Sequence, residues 1–403
     1  MKILITTDCY KPTVNGVVTS IINLETQLRK LGHEVRILCP SSNIHCNESG
    51  DIYRIGSVGA GKIYKGARAA FRMSKKNLIG IIKWKPDIIH SQSEFTSFIM
   101  AKKIAAAVGC PIIHTYHTVY ENYTHYFSPS IKLGRKAAMV FTKKILNNVQ
   151  AVIAPTKKVK DMLVNYGISK TISVIPTGLD LSKFNNKPSQ EQLLQLRSEL
   201  GIPEKNKVLI TVGRAAREKN IDELINFVKK SDMTDVTLLI VGGGPYLNDL
   251  QKLVEELDIS DKVKFTGMVS PDRIADYYSI GDIFVSASTS ETQGLTYIEA
   301  MACGLPLVCR ADECLNGVLS NEENGYSFEN YTDFTESVKR ILSNDSLYCF
   351  MKLNSKNIAQ SYSNKVFAEK VIIAYQNTIN KFNQEQGDDY EIENTLHAFK
   401  DCI

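Results

Sequence analysis

The chain has 403 residues, 43% of them hydrophobic, 23% charged and 8% aromatic, a soluble globular composition. A single core seldom grows beyond about 250–300 residues, so this length excludes a small stapled module or a mostly disordered chain and favours two domains. The net charge of +5 conceals an asymmetry: residues 1–180 carry 25 basic and 10 acidic side chains and residues 181–403 carry 23 and 33, which gives +15 and −10. A basic half of this size points to an anionic partner, which could be a membrane surface, nucleic acid or a phosphorylated ligand.

In chain order, KILITTD (2–8), EVRILCP (34–40), PDIIHSQ (86–92), CPIIHTYH (110–117), VQAVIAPT (149–156) and TISVIP (171–176) are apolar almost throughout. Such runs suit parallel strands covered on both faces. Helical patterns fill the gaps, as in VTSIINLETQLRKLG (18–32), which Gly32 closes as a C-terminal cap. After Pro176-Thr177-Gly178-Leu179-Asp180 comes the polar stretch LSKFNNKPSQ, and the rhythm then restarts. KVLITVG (207–213), VTLLIVGGG (236–244), KVKFTG (262–267), DIFVSAS (282–288) and PLVCRAD (306–312) read as strands, with helices near 220–230, 246–257, 271–279 and 294–303. The pattern predicts an α/β protein of two doubly wound, Rossmann-like domains facing each other, with a boundary near residue 180. The last strong helical pattern covers about 365–384, and the acidic residues 385–403 read as a loose tail.

No stretch reaches the roughly 18 apolar residues needed to span a bilayer, and MKILITTD contains no signal-peptide core. These features predict a protein that is neither secreted nor membrane-spanning. The nine cysteines are scattered, with no C-x-x-C pair, as expected of reduced cytosolic thiols.

Several βα junctions carry chemistry. In TTDCYKPTVNGVVTS, Gly16 lets backbone approach a ligand at a helix N-terminus, although this is not the G-x-G-x-x-G of a dinucleotide site. In VGRAAREKNID, Arg214 and Lys219 follow a strand at the end where doubly wound sheets bind ligands, and they could neutralise a departing diphosphate. Arg217 on the same loop reads as surface charge, and Gly242-Gly243-Gly244 as a tight connection. In SASTSETQGLTYIEAMACGLPLV, Glu291 sits in a loop and Gly294 permits close approach. The helix starting at Leu295 and Thr296 aims free amides at an anion, and Glu299 lies within it. Two acids beside a phosphate site are tolerable when each receives hydroxyl donors, so a sugar ligand explains the pair.

Taken together, these residues resemble the retaining glycosyltransferases of the GT-B fold in family 4. The matching residues are Asn15-Gly16-Val17, Gly213-Arg214 with Glu218-Lys219-Asn220, Gly267-Met268-Val269, Glu291 to Glu299, and Gly304-x-Pro306. The resemblance implies two domains facing across a cleft, Gly16 near the donor diphosphate, Arg214 and Lys219 on its oxygens, and Met268 and Val269 near the base. It further implies Glu291 on the donor sugar, Glu299 on the ribose, a helix at about 365–384 returning to the first domain, and His117 beside the transferred sugar. HTYHTVYENYTHYF (114–127) is similar to the bacterial 1,2-diacylglycerol 3-glucosyltransferases, which would put Tyr120, Tyr123, His125 and Tyr126 near the acceptor.

Basic charge is concentrated in residues 52–86, with nine Lys or Arg and no acid, and residues 122–160, with eight and no acid. Lys65, Arg68, Arg72, Lys75 and Lys76 recur at helical spacing in the first block. In the second, Lys132, Arg135, Lys136 and Lys143 interleave with Leu133, Ala137, Val140 and Phe141. Two basic amphipathic helices of this kind suit an anionic bilayer surface, and no stacking platform accompanies them that would suit nucleic acid.

The expectation is a cytoplasmic enzyme, peripheral on the inner face of the cell membrane, that moves glucose from UDP-glucose to diacylglycerol or a related lipid. It needs no cofactor and, lacking D-x-D, no metal. Alternatives are a mannosyl- or other hexosyltransferase acting on phosphatidylinositol, polyprenyl or wall-polymer acceptors, and a non-catalytic sugar-nucleotide or membrane-binding protein. The sequence is silent on oligomeric state.

Overall fold

A computed structural model describes residues 1–13, 15–41, 47–59, 68–72, 74–121, 131–184 and 188–400. The chain divides into two compact units, Met1–Gly178 with Asn364–Ile403, and Leu179–Ser363.

The first unit runs β1 (Lys2–Thr6), α1 (Gly16–Lys30), β2 (Glu34–Pro40), β3 (Asn47–Ser49), β4 (Ile52–Gly59), β5 (Arg68–Arg72), α2 (Lys75–Trp84), β6 (Ile88–Ser91), α3 (Thr96–Val108), β7 (Ile112–Thr115), α4 (Ile131–Leu146), β8 (Ala151–Ala154), α5 (Lys157–Asn165) and β9 (Thr171–Val174). Among the described residues the sheet order is β3-β4-β2-β1-β6-β7-β8-β9, parallel from β4 to β9, with β3 and β5 antiparallel to β4. Alternate residues of β1 enter opposite cores. Ile3 and Ile5 pack with Ile21, Leu24 and Leu28 of α1, while Leu4 packs with Ile81, Phe98 and Ile104 from α2 and α3.

The second unit runs α6 (Gln190–Glu199), β10 (Lys207–Val212), α7 (Ile221–Lys230), β11 (Val236–Val241), α8 (Leu247–Glu256), β12 (Val263–Gly267), α9 (Ile274–Ile280), β13 (Ile283–Ser286), α10 (Leu295–Cys303), β14 (Leu307–Arg310), β15 (Gly325–Phe328), α11 (Tyr331–Leu342) and α12 (Asp345–Gln360). Its strands are all parallel, in the order β12-β11-β10-β13-β14-β15. Both units are therefore the doubly wound sheets that the sequence predicts.

Two details depart from the sequence pattern. Arg68 and Arg72 do not share one basic helix with Lys75 and Lys76. Arg68–Arg72 pair with β4 as a strand, and Ser74 starts α2 by accepting the Asn77 amide at 3.0 Å. A ladder to a neighbouring strand outweighs the local 3.6-residue spacing of the cations. The final helix, α13 (Asn364–Lys400), also runs past residue 384, where a loose tail is expected. Residues 385–400 contain one glycine and no proline, so nothing in them breaks the backbone ladder.

The apolar face of α13 joins the first unit. Phe367, Ala368, Val371, Ala374 and Tyr375 recur at three- and four-residue intervals and are buried against the core under α1. Gly178 meets this helix at its start, where a Cβ would stand 2.5 Å from Phe367 Cβ and 2.9 Å from Asn364 Cα. Gly178→Ala should therefore cost about 1–3 kcal/mol, read as a lower midpoint of urea or thermal unfolding. An unchanged midpoint would show that α13 is not tightly seated there.

Candidate active-site residues in each unit

In the second unit the strand order reverses between β10 and β13, and the loops leaving these two strands meet. Lys219, after β10, donates to the Glu291 carboxylate after β13. Asn220 Nδ2 donates to Ala287 O at 3.2 Å, and the Ser290 hydroxyl to Glu218 O at 3.2 Å, which ties the loops together. Arg214 Nη2 donates to Glu218 Oε1 at 2.8 Å, and the Arg217 guanidinium lies 5.2 Å from the Tyr246 ring centre. All three cations of this loop are thus paired, Arg214 and Lys219 with carboxylates and Arg217 with a ring.

The glycines here have a steric reason. A Cβ on Gly242 would come within 2.0 Å of Gly213 O, and one on Gly244 within 2.2 Å of Ala215 O, so the loop after β11 lies directly on the loop after β10. Met268, after β12, stands beside Gly243 and is 88% exposed, an apolar side chain free to meet a flat ligand, while Val269 packs into the core. Gly294 has φ +71°, and a Cβ there would strike the Tyr297 ring at 2.4 Å. It starts α10 with no side-chain cap, so the first-turn amides at Leu295 and Thr296 retain their anion-binding capacity.

Glu299, one turn further along α10, accepts the Tyr278 hydroxyl at 2.8 Å. Burial pushes its carboxyl up to about 7, opposed by that hydrogen bond and by Lys183. The two acids of the E-x7-E pattern thus differ: Glu291 is neutralised by a lysine, whereas Glu299 sits at the edge of ionisation.

In the first unit the order reverses at β1, which lies between β2 and β6. The carboxyl ends of β1, β6 and β7 bring together Asp8, Gln92, Glu94 and His117. Asp8 accepts the Phe95 amide at 3.0 Å and the Ser97 amide at 2.9 Å, so it caps α3 from across the sheet. Its carboxyl is raised chiefly by burial, against those two bonds. His117 Nε2 lies 2.6 Å from Gln92 Oε1. Burial lowers the imidazole to about 4, with Glu94 opposing and His114 reinforcing the shift, so the ring is neutral at physiological pH. The Tyr120 hydroxyl donates to Glu94 Oε2 at 2.8 Å, and its ring meets Phe141 edge-on at 5.5 Å. Gly16 opens α1 behind Asn15, whose side chain accepts the Val18 amide at 2.9 Å.

The basic face is divided by what the structure describes. Lys65, Tyr123, His125 and Tyr126 lie outside the described residues, and Arg68 and Arg72 belong to the backbone of β5. Lys75 and Lys76 are exposed in the first turn of α2. Lys132, Arg135 and Lys136 are exposed on α4 beside Leu133 and Val140, themselves 66% and 56% exposed. Among the described residues no helix is long and apolar enough to cross a membrane, and no three His, Cys, Asp or Glu side chains converge as a metal site.

Sequence reasoning did not single out Gln92, Glu94 or Tyr278. The signal available for the first two is the polar run His90-Ser91-Gln92-Ser93-Glu94 at the end of an otherwise apolar strand. Tyr278 carries none, because it reaches Glu299 from a different helix.

Comparison with known proteins bears on the family and the fold. Residues 14–183 match the family described as Glycosyltransferase Family 4, and residues 194–360 the one described as Glycosyl transferases group 1. The chain is 38% identical to the alpha-monoglucosyldiacylglycerol synthase of Streptococcus pneumoniae over 85% of this chain and 78% of that protein. It is 32% identical to the synthase of the same name from Acholeplasma laidlawii over 96% and 99% of the two chains. The crystal structure of Anabaena HepE in complex with UDP and glucose superposes with a TM-score of 0.70 at 18% identity, covering 94% of this chain and all of that one, and it shares the fold. With two doubly wound units and these relatives, the chain belongs to glycosyltransferase family 4 and is a nucleotide-sugar-dependent hexosyltransferase of the GT-B fold.

Proposed function

We propose that the protein transfers glucose from UDP-glucose to the free hydroxyl of diacylglycerol, with retention at the anomeric carbon, while bound to an anionic membrane face on the cytoplasmic side. The observation that supports this reading is the β10/β13 switch point, which gathers Arg214, Lys219 and the uncapped start of α10 with Glu291 and Glu299, groups suited to a diphosphate and to sugar hydroxyls. The names of the two relatives support glucose and diacylglycerol.

In the proposed reaction the bond from the anomeric carbon to the β-phosphate oxygen breaks, and UDP leaves with the electron pair. The acceptor oxygen bonds to the same face of that carbon and gives its proton to the departing phosphate. Arg214, Lys219 and the Leu295 and Thr296 amides stabilise the charge that develops on the diphosphate. Met268 and Val269 serve the base, Gly16 the diphosphate, Glu299 the ribose, and Glu291 and His117 the transferred sugar, with Tyr120 toward the acceptor. Purified protein incubated with a panel of sugar nucleotides and mixed-lipid vesicles, with products identified by mass spectrometry, tests the whole reading. Glucosyl-diacylglycerol from UDP-glucose is the expected product, and selective use of another donor or acceptor overturns it.

Removing either cation should lower turnover by about 10²–10³ with the unfolding midpoint retained, in Arg214→Ala and in Lys219→Ala. Wild-type turnover should persist in excess EDTA, and loss that Mg²⁺ restores would reveal a metal requirement.

Glu299 predicts a pH dependence. Ribose hydroxyls donate to the ionised carboxylate, so UDP affinity is full above the folded value of about 7 and weakens as the pH falls through it. Calorimetry at pH 8 and pH 6 should show this loss, and Glu299→Gln should bind more weakly and retain only the pH dependence of UDP itself. An equal slope in both proteins would remove the ribose contact.

The membrane reading predicts that changing Lys75, Lys76, Lys132, Arg135 and Lys136 to Gln reduces binding to anionic vesicles at least about tenfold, since each cation near such a surface contributes roughly 1 kcal/mol. Wild-type binding should also weaken as salt rises, with UDP affinity untouched by the substitutions. Equal sedimentation of the two proteins with anionic liposomes would assign this face to something else.

A further inference from the structure

Gln92 has no place in the proposed reaction, yet it occupies the centre of a polar chain inside the first unit. It is 3% exposed. Its Oε1 faces His117 Nε2 at 2.6 Å, and its Nε2 lies 3.2 Å and 3.0 Å from the Nδ1 and Nε2 atoms of His90. His90, fully buried in β6, is held at both nitrogens, with the Tyr375 hydroxyl of α13 at 2.6 Å from Nδ1 and the Thr115 hydroxyl at 2.6 Å from Nε2. The chain therefore runs from the returning helix through His90 and Gln92 to His117.

We propose that Gln92 is a positioning residue that fixes both the orientation and the tautomer of the His117 ring. An amide oxygen can only accept, so the 2.6 Å contact requires the proton of His117 to sit on Nε2. That leaves the Nδ1 lone pair as an acceptor, the form needed to take a hydrogen bond from a sugar hydroxyl. The inference rests on the proposed role of His117 toward the transferred sugar.

An amide suits this position better than an acid. His117 is faced by Glu94 and Gln92 from the β6 end, by His114 from β7 and by His90 from β6, with Asp8 and Tyr120 nearby on Glu94. A second carboxylate in direct contact would favour the imidazolium, which has no lone pair to offer. Gln92 holds the ring without charging it, and His90, itself kept neutral by burial, braces the amide from behind.

Nitrogen NMR of the protein carrying ¹⁵N-labelled histidine reads the tautomer directly. In the wild type His117 should show a protonated Nε2 and a bare Nδ1, and Gln92→Leu should convert it to a mixture of tautomers. In Gln92→Glu the acid limb of kcat/KM against pH should move up from near 4 by at least about one pH unit, because the new carboxylate stabilises the protonated ring. Gln92→Leu should lower kcat about tenfold or more with UDP affinity unchanged. A wild-type His117 protonated at Nδ1, or, where His117→Ala lowers turnover, a folded Gln92→Glu protein with an unshifted pH profile, overturns the proposal. His117→Ala separates the two layers: full turnover in that variant, with the tautomer result standing, would refute the sugar contact and leave the clamp intact.

Discussion

Both units depend on one constraint, that a parallel sheet covered on both faces leaves no wet surface along its strands. Ile3, Leu4 and Ile5 of β1, and Val208, Leu209 and Ile210 of β10, are completely buried, so polar chemistry has to gather where the strands end. Each sheet reverses its strand order once, the point at which doubly wound sheets take their ligands. In the first unit this brings the ends of β1, β6 and β7 together, and in the second the ends of β10 and β13. His90 and His114 are the histidines admitted into the strand bodies of the first unit; His90 is bound to the Tyr375 and Thr115 hydroxyls and His114 to that of Ser91.

The electrostatics of the second unit follow from crowding. Arg214, Arg217 and Lys219 share one short loop, and three bare cations there would repel one another. Glu218, the Tyr246 ring and Glu291 each take one of them. These partners hold the three side chains apart at the ends of β10 and β13.

The alternation of apolar runs with helical patterns made both sheets readable, because short β-branched apolar runs bounded by polar and glycine residues suit strands buried on both faces. The βα junctions were readable for the same reason: polar and glycine residues stand out directly after such runs. RAAFR was not readable as β5, since arginine and alanine favour a helix locally and only the partner strand β4 overrides them. Gln92 was hidden differently. Its meaning lies in His117, 25 residues away, and in Tyr375, which reaches His90 from the far end of the chain. The Lys219–Glu291 pair spans 72 residues, so the two could be placed at adjacent strand ends but not in contact.

The return of α13 to the first unit also sets an order on assembly. Ile21, Leu24 and Leu28 on α1 share a core with Phe367, Val371 and Tyr375, so the apolar surface beneath them is incomplete while the chain emerges from the ribosome. All of Leu179–Ser363 is synthesised before that surface can be closed. The second unit is contiguous and can fold as soon as it is made, whereas the first must wait with an unfilled groove. The part of the protein that begins first is thus the last to be completed, and a chain that ends just after Ser363 would have a whole second unit and a first unit whose apolar surface is exposed to aggregation or proteolysis.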